Sequence, residues 1–238
     1  MSGFNVELYK QIQADAQNEV ITLDGRTYTT KQLHAKTPPK APHLRLGGLQ
    51  ALIDFAATTE VKKIAGDRPV FCSVESQTEV ILFTGVENLW LERNTLATVE
   101  VDLPQLGLGG YQDREVFNIF LQSRFLDNED RGVLLDFVSR LKEEISAEVE
   151  DDGITQTAMV KTGVSRIGKA KVPNPVTLAP YRTFLEIEQP ESPFIFRMRS
   201  GFQCALIEAD GGAWRIEAKK RIKDYLAERL PEDIIVLA

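Results

Sequence analysis

Proline restricts a backbone more than any other residue, and five of this chain's eleven prolines stand between Lys171 and Arg199, in KVPNPVTLAPYRTFLEIEQPESPFIFRMR. Each fixes its own φ and pushes the residue before it towards extended geometry. Low-complexity linkers rarely interleave that punctuation with Val, Leu, Tyr, Phe and Ile, as this stretch does. It therefore reads as a rigid, extended and packed path, with Tyr181–Glu188, Phe194–Met198 and Gln203–Glu208 as strands.

The surrounding chain supplies a core for it to pack against. Its 238 residues are 43% hydrophobic and 26% charged, the balance of a globular protein. A net charge of −7 argues globally against a dedicated nucleic-acid binder. Cys72 and Cys204 sit in apolar, strand-like runs and read as reduced core thiols. No signal-peptide h-region and no run of about 20 apolar residues is present, so no membrane contact and a cytosolic protein are expected.

Periodicity organises the rest. Phe4, Leu8 and Ile12 suggest a short N-terminal helix. Asp24-Gly25 between Val20–Leu23 and Arg26–Thr29 signals a type I′ hairpin. Ala35 to Arg45 is basic and proline-rich, an arm or linker, so residues 1–45 are expected as a separate unit and 46–238 as the main α+β domain. Within that domain, Leu49, Leu52, Ile53 and Ala56 define a helix face. Val70–Val74 and Val80–Phe83 form a hairpin, and Thr98–Leu103 alternates as a strand. Asp113 should cap a helix with Val116, Phe117, Phe120 and Leu121 on its stripe. A five-turn helix should start near Asp127 and carry Leu134, Phe137, Val138, Leu141 and Ile145. A polar strand over Ile154–Lys161, a terminal helix with Trp214, Ala218, Ile222, Tyr225 and Leu226, and a closing strand Ile234–Leu237 complete the reading. Strands and helices come in blocks, which means α+β with a mixed or antiparallel sheet; a capsid-like α+β shell fold is the alternative.

Catalytic signatures are weak. Gly107-Leu108-Gly109-Gly110 precedes a helix but matches no phosphate-loop pattern, and Asp113 would repel an anion. His34 and His43 have no metal-binding or acid–base partner near them in sequence. Ser73, Ser123 and Ser165 lack a nucleophile-elbow context. Glu208 and Asp210 could hold a divalent metal, yet an acid followed by Gly-Gly before a helix is equally an N-cap. No cofactor and no catalytic residue is assigned.

Charge segregation says more. Between Leu141 and Asp152 stand Glu143, Glu144, Glu148, Glu150, Asp151 and Asp152 against a single Lys142. From Gly153 through Leu185 there is no acid, while Lys161, Arg166, Lys169, Lys171 and Arg182 are basic. These blocks read either as solvated surface or as complementary edges joining identical subunits. A local phosphate-backbone patch on Arg166, Lys169 and Lys171 is a third reading, weakened because no aromatic lies between Ile154 and Pro180.

The motifs LQSRF (121–125), VKTG (160–163), VPNPVTLAPYRTF (172–184), SPF (192–194) and EADGGAW (208–214) resemble the YfdQ-like family, carried by tailed phages and prophages and without an assigned activity. The resemblance is strongest from about Tyr111 to Trp214. It implies a phage gene acting in the bacterial host cytoplasm and transfers no catalytic residue. The expectation is a non-enzymatic phage accessory protein that self-assembles into a homo-oligomer, with a shell as one form. The alternatives are an early protein that binds a host defence or recombination component, and a metal-dependent enzyme at Glu208 and Asp210.

Overall fold

The computed structural model describes residues 7, 20–23, 26–29, 43–86, 91–140, 150–151, 156–162, 166–199 and 201–238. The chain divides into two compact units, Met1–Pro42 and His43–Ala238. In the first, β1 (Val20–Leu23) and β2 (Arg26–Thr29) pair antiparallel with Leu23 opposite Arg26, as the Asp-Gly signal predicts. The expected helix over Phe4, Leu8 and Ile12 lies outside the described residues, as does His34.

The second unit is α+β, built around two apolar cores. Its first sheet has the order β13-β4-β5-β6-β3. The central hairpin pairs β4 (Val70–Val74) with β5 (Glu79–Val86), and β5 with β6 (Arg93–Glu100), all antiparallel. Two parallel strands close its margins: β3 (Leu44–Leu46) on β6, and β13 (Ile234–Leu237) on β4. The end of the expected arm is therefore a strand, because Leu44–Leu46 finds ladder partners in Ala97–Val99. Alternation puts Cys72, Val74, Val80, Leu82, Ala97 and Val99 on one face, beneath α1 (Leu49–Ala56), α2 (Thr59–Ala65) and α5 (Trp214–Arg229). The short α2 escapes a sequence reading because only Val61 and Ala65 of its seven residues are buried.

The second core lies between two helices and the sheet β10-β11-β12. These strands are β10 (Val176–Leu178), β11 (Ser192–Arg199) and β12 (Gln203–Glu208). Among the described residues five aromatic pairs with centroids within about 6 Å build this core; Phe125 meets Phe120 edge-on at 5.1 Å. Helix α3 (Arg114–Arg124) buries Phe117, Phe120 and Leu121, but Val116 is half-exposed on the outer side. Asp113 holds the N-cap position without capping; its carboxylate accepts instead from Gln203 Nε2 at 3.4 Å.

Helix α4 (Glu129–Ser139) buries Leu134, Phe137 and Val138 as the periodicity requires. It spans three turns rather than five and closes on Arg140 as its C-cap, while Leu141 and Ile145 lie outside the described residues. Asn128 caps it, accepting from Arg131 N at 2.9 Å, and donates to Thr177 O at 3.0 Å. Thr177 N in turn donates to Asp130. The start of α4 thus satisfies the outer edge of β10, which would otherwise be an open template for another strand.

The stretch expected as a strand over Tyr181–Glu188 is irregular. Gln189 explains why. Its side-chain oxygen accepts from Arg182 N at 3.0 Å and Thr183 N at 3.2 Å, and its amide nitrogen donates to Phe184 O at 2.9 Å. One buried side chain supplies what a neighbouring strand would have supplied.

Candidate interaction surface

Glu150 and Asp151 of the acidic block and Lys161, Arg166, Lys169 and Lys171 of the basic one lie in a further sheet, ordered β7-β8-β9. β7 (Glu150–Asp151) pairs antiparallel with β8 (Gln156–Thr162), and β8 with β9 (Arg166–Lys171). Glu150 stands opposite Thr157, which on its other side stands opposite Lys171. The acidic strand and the strand bearing Arg166, Lys169 and Lys171 are therefore the two opposite edges of one sheet. Lys161 lies in the central strand, opposite Ile167. Glu143, Glu144, Glu148 and Asp152 lie outside the described residues. The sheet is tied to the second core by Gln156, whose buried side chain accepts from Met198 N at 2.9 Å and donates to Met198 O at 3.1 Å.

Arg182 does not join this sheet. It is buried, with 4% of its surface exposed, at the foot of the irregular segment. Its guanidinium donates to Glu208 Oε1 at 3.1 Å, Pro190 O at 3.0 Å and Ser192 Oγ at 2.7 Å. It also lies 4.0 Å from the centroid of the Trp214 ring. Burial lowers its pKa to about 10, against the pull of Glu208 and Asp210. The motifs from Tyr181 to Phe184, Ser192 to Phe194 and Glu208 to Trp214 thus meet in one place. A charge count along the sequence groups Arg182 with the basic block; the apolar Tyr181 and Phe184 on either side of it are the signal that it can turn inward.

From there the segment crosses between the two cores. Tyr181 N donates to Arg124 O at 2.9 Å on the α3 side. On the other side Phe184 enters the first core, and Thr183 Oγ1 donates to Gln77 O at 2.6 Å. Glu186 accepts from Leu49 N at 2.8 Å and so caps α1 from a distance. Gly48 permits that approach, since a Cβ there would sit 2.6 Å from Glu186 Oε1.

No protein-family model, no curated protein and no solved structure matches this chain.

The remaining candidates are resolved by their bonding. Asp210 accepts from Gly212 N at 2.9 Å and Trp214 N at 3.0 Å, so both carboxylate oxygens serve the turn into α5. Glu208 is engaged by Arg182. Among the described residues no group of three or more His, Cys, Asp or Glu could hold a metal ion. In the glycine loop Gly109 N donates to Leu206 O at 2.7 Å, which commits that amide to β12. Both cysteines are free and buried, and burial pushes each thiol up to about 12. His43 is exposed. Among the described residues no helix is long and apolar enough to cross a membrane.

Desolvation works against the charge on Asp210, but the two amides and the nearby Arg182 outweigh it and hold its carboxyl below the ordinary range. A depressed folded-state pKa stabilises above the unfolded value and loses that contribution as pH falls through the folded one. Asp210→Ala is expected to cost about 1 kcal/mol at neutral pH. In urea melts the gap between the two proteins should narrow once pH falls below about 4.

Proposed function

We propose that this chain is a non-enzymatic accessory protein of a phage or prophage, and that its copies join head to tail through the sheet β7-β8-β9. The observation that supports this reading is the opposite charge of the sheet's two edges. An edge strand carries unpaired N–H and C=O groups and can accept a strand from another chain. Pairing β9 with β9 would set Arg166, Lys169 and Lys171 beside their own copies, and β7 with β7 would set acid beside acid. Only β9 against the β7 of the next copy brings opposite charges together. That contact is heterologous, so it closes into a ring or continues as a filament. The phage setting rests on the resemblance of the 121–125, 160–163, 172–184, 192–194 and 208–214 motifs to the YfdQ-like family.

Size-exclusion chromatography with light scattering tests the assembly, and electron microscopy separates rings and shells from filaments. At low salt the mass should be a multiple of one chain. It should fall as salt shortens the screening length from about 10 Å at 0.1 M to about 3 Å at 1 M. Lys169→Glu with Lys171→Glu should give a much smaller species, and adding Glu150→Lys with Asp151→Lys should restore the larger one. A monomer at every salt concentration, or a mass unchanged by the first pair, would sink the reading.

A further inference from the structure

Among the described residues the helices packed on the five-stranded sheet lie on one face, and the other face carries an apolar patch. There Ile235 stands opposite Phe71 and Phe71 opposite Phe83, forming one row across three strands. Leu237 and Ile81 belong to the neighbouring row, both opposite Ser73. Ile235 is 47% exposed and Leu237 41%, while Phe71, Ile81 and Phe83 are half-buried. At one end of this face Glu79 stands directly opposite Glu100. Like charges in that relation repel, and among the described residues neither carboxylate has an ion-pair partner. At the other end the exposed Arg93 lies over Phe83 and Phe71, 5.4 and 5.6 Å from the ring centroids, and among the described residues it too has no acidic ion-pair partner.

We infer that this face is covered by the same face of a second copy, in a two-fold contact separate from the charged edges. The charge layout selects the geometry. A two-fold axis between the faces and running across the strands reverses strand direction. It places the Glu79–Glu100 pair of each copy over Arg93 of the other and stacks the apolar rows between them. An axis along the strands would instead set acid on acid. Sheets that pack this way meet about 10 Å apart with strands within about 30° of each other. Four strands about 4.8 Å apart and about 20 Å long offer roughly 400 Å² per copy, below the area of a stable specific interface and suited to a transient one. The dimer is therefore weak on its own and is favoured within an assembly, where local concentration is high.

Sedimentation equilibrium of the full chain over about 1 to 100 micromolar tests this contact apart from the head-to-tail one. The chain carrying Lys169→Glu and Lys171→Glu should dimerise as concentration rises. Adding Ile235→Glu, or Arg93→Glu, should leave it monomeric with an unchanged far-ultraviolet spectrum. Combining Arg93→Glu with Glu79→Arg and Glu100→Arg should recover the dimer, which a purely structural role for Arg93 would not do. Arg93 is exposed and decides the matter if Ile235→Glu fails to fold. A monomer at every concentration before these additions, or a dimer indifferent to both, overturns the inference. If Lys169→Glu with Lys171→Glu leaves the mass unchanged, the head-to-tail reading has failed, and the effect of Arg93→Glu still decides this one.

Discussion

Replacing Arg182 by Met is expected to lower the unfolding free energy by about 3 kcal/mol, the lower end for breaking a buried ion pair. The lower end applies because Glu208 keeps 28% of its side-chain surface in solvent and can recover part of its hydration. The loss still exceeds that of a surface pair, since Pro190 O and Ser192 Oγ lose their donor inside the protein. Arg182→Lys keeps the charge but cannot reach three acceptors with one planar fork, and should recover only part of the loss. Adding Glu208→Gln to Arg182→Met should be less costly than the sum of the two changes, because the stranded carboxylate is gone. Urea denaturation of the unchanged chain, Arg182→Met, Arg182→Lys, Glu208→Gln and the double variant measures this; additive effects of Arg182→Met and Glu208→Gln would show that the pair is not coupled.

Phe184→Ala should cost about 3–5 kcal/mol, the range for truncating a fully buried aromatic. The ring has no exposed surface and packs in the core beneath α1, α2 and α5. Its neighbours Arg182 and Thr183 are held by Gln189, so the backbone has little freedom to collapse into the cavity. For a unit of this size the melting temperature should fall by roughly 10 °C. Leu185, next in sequence but 66% exposed, provides the control: Leu185→Ala should change the melting temperature little. Equal effects at the two positions would show that the segment is not anchored through Phe184.

What the chain revealed before folding follows from how local each signal is. The α+β class, the 70–83 hairpin and the buried faces of α4 and α5 rest on spacings within one element, and the structure has them. Tyr181–Glu188 reads as a strand because its residue types suit one, but the hydrogen bonds of Gln189 take precedence over residue preference. Leu44–Leu46 was hidden because its partner strand lies far away in sequence. The sign of each charged block was legible, whereas their placement on opposite edges of one sheet depends on the register of β8 with both neighbours. Arg182 marks the limit of counting charges: its sign is visible in sequence and its burial is not.

The parallel margins of the five-stranded sheet also bear on how quickly the fold can form. Strand β4 is flanked by β13, from the far end of the chain, and β6 by β3, from ahead of both hairpin strands. Loop-closure entropy must be met before such distant pairings stabilise anything, and folding slows as contacts lengthen in sequence. The 70–100 meander can assemble locally and early, but until Ile234–Leu237 docks, the hydrogen-bonding edge of Val70–Val74 stays open. An open edge beside apolar surface invites the wrong strand. The docking of Ile234–Leu237 is thus what closes this edge of the sheet against aggregation.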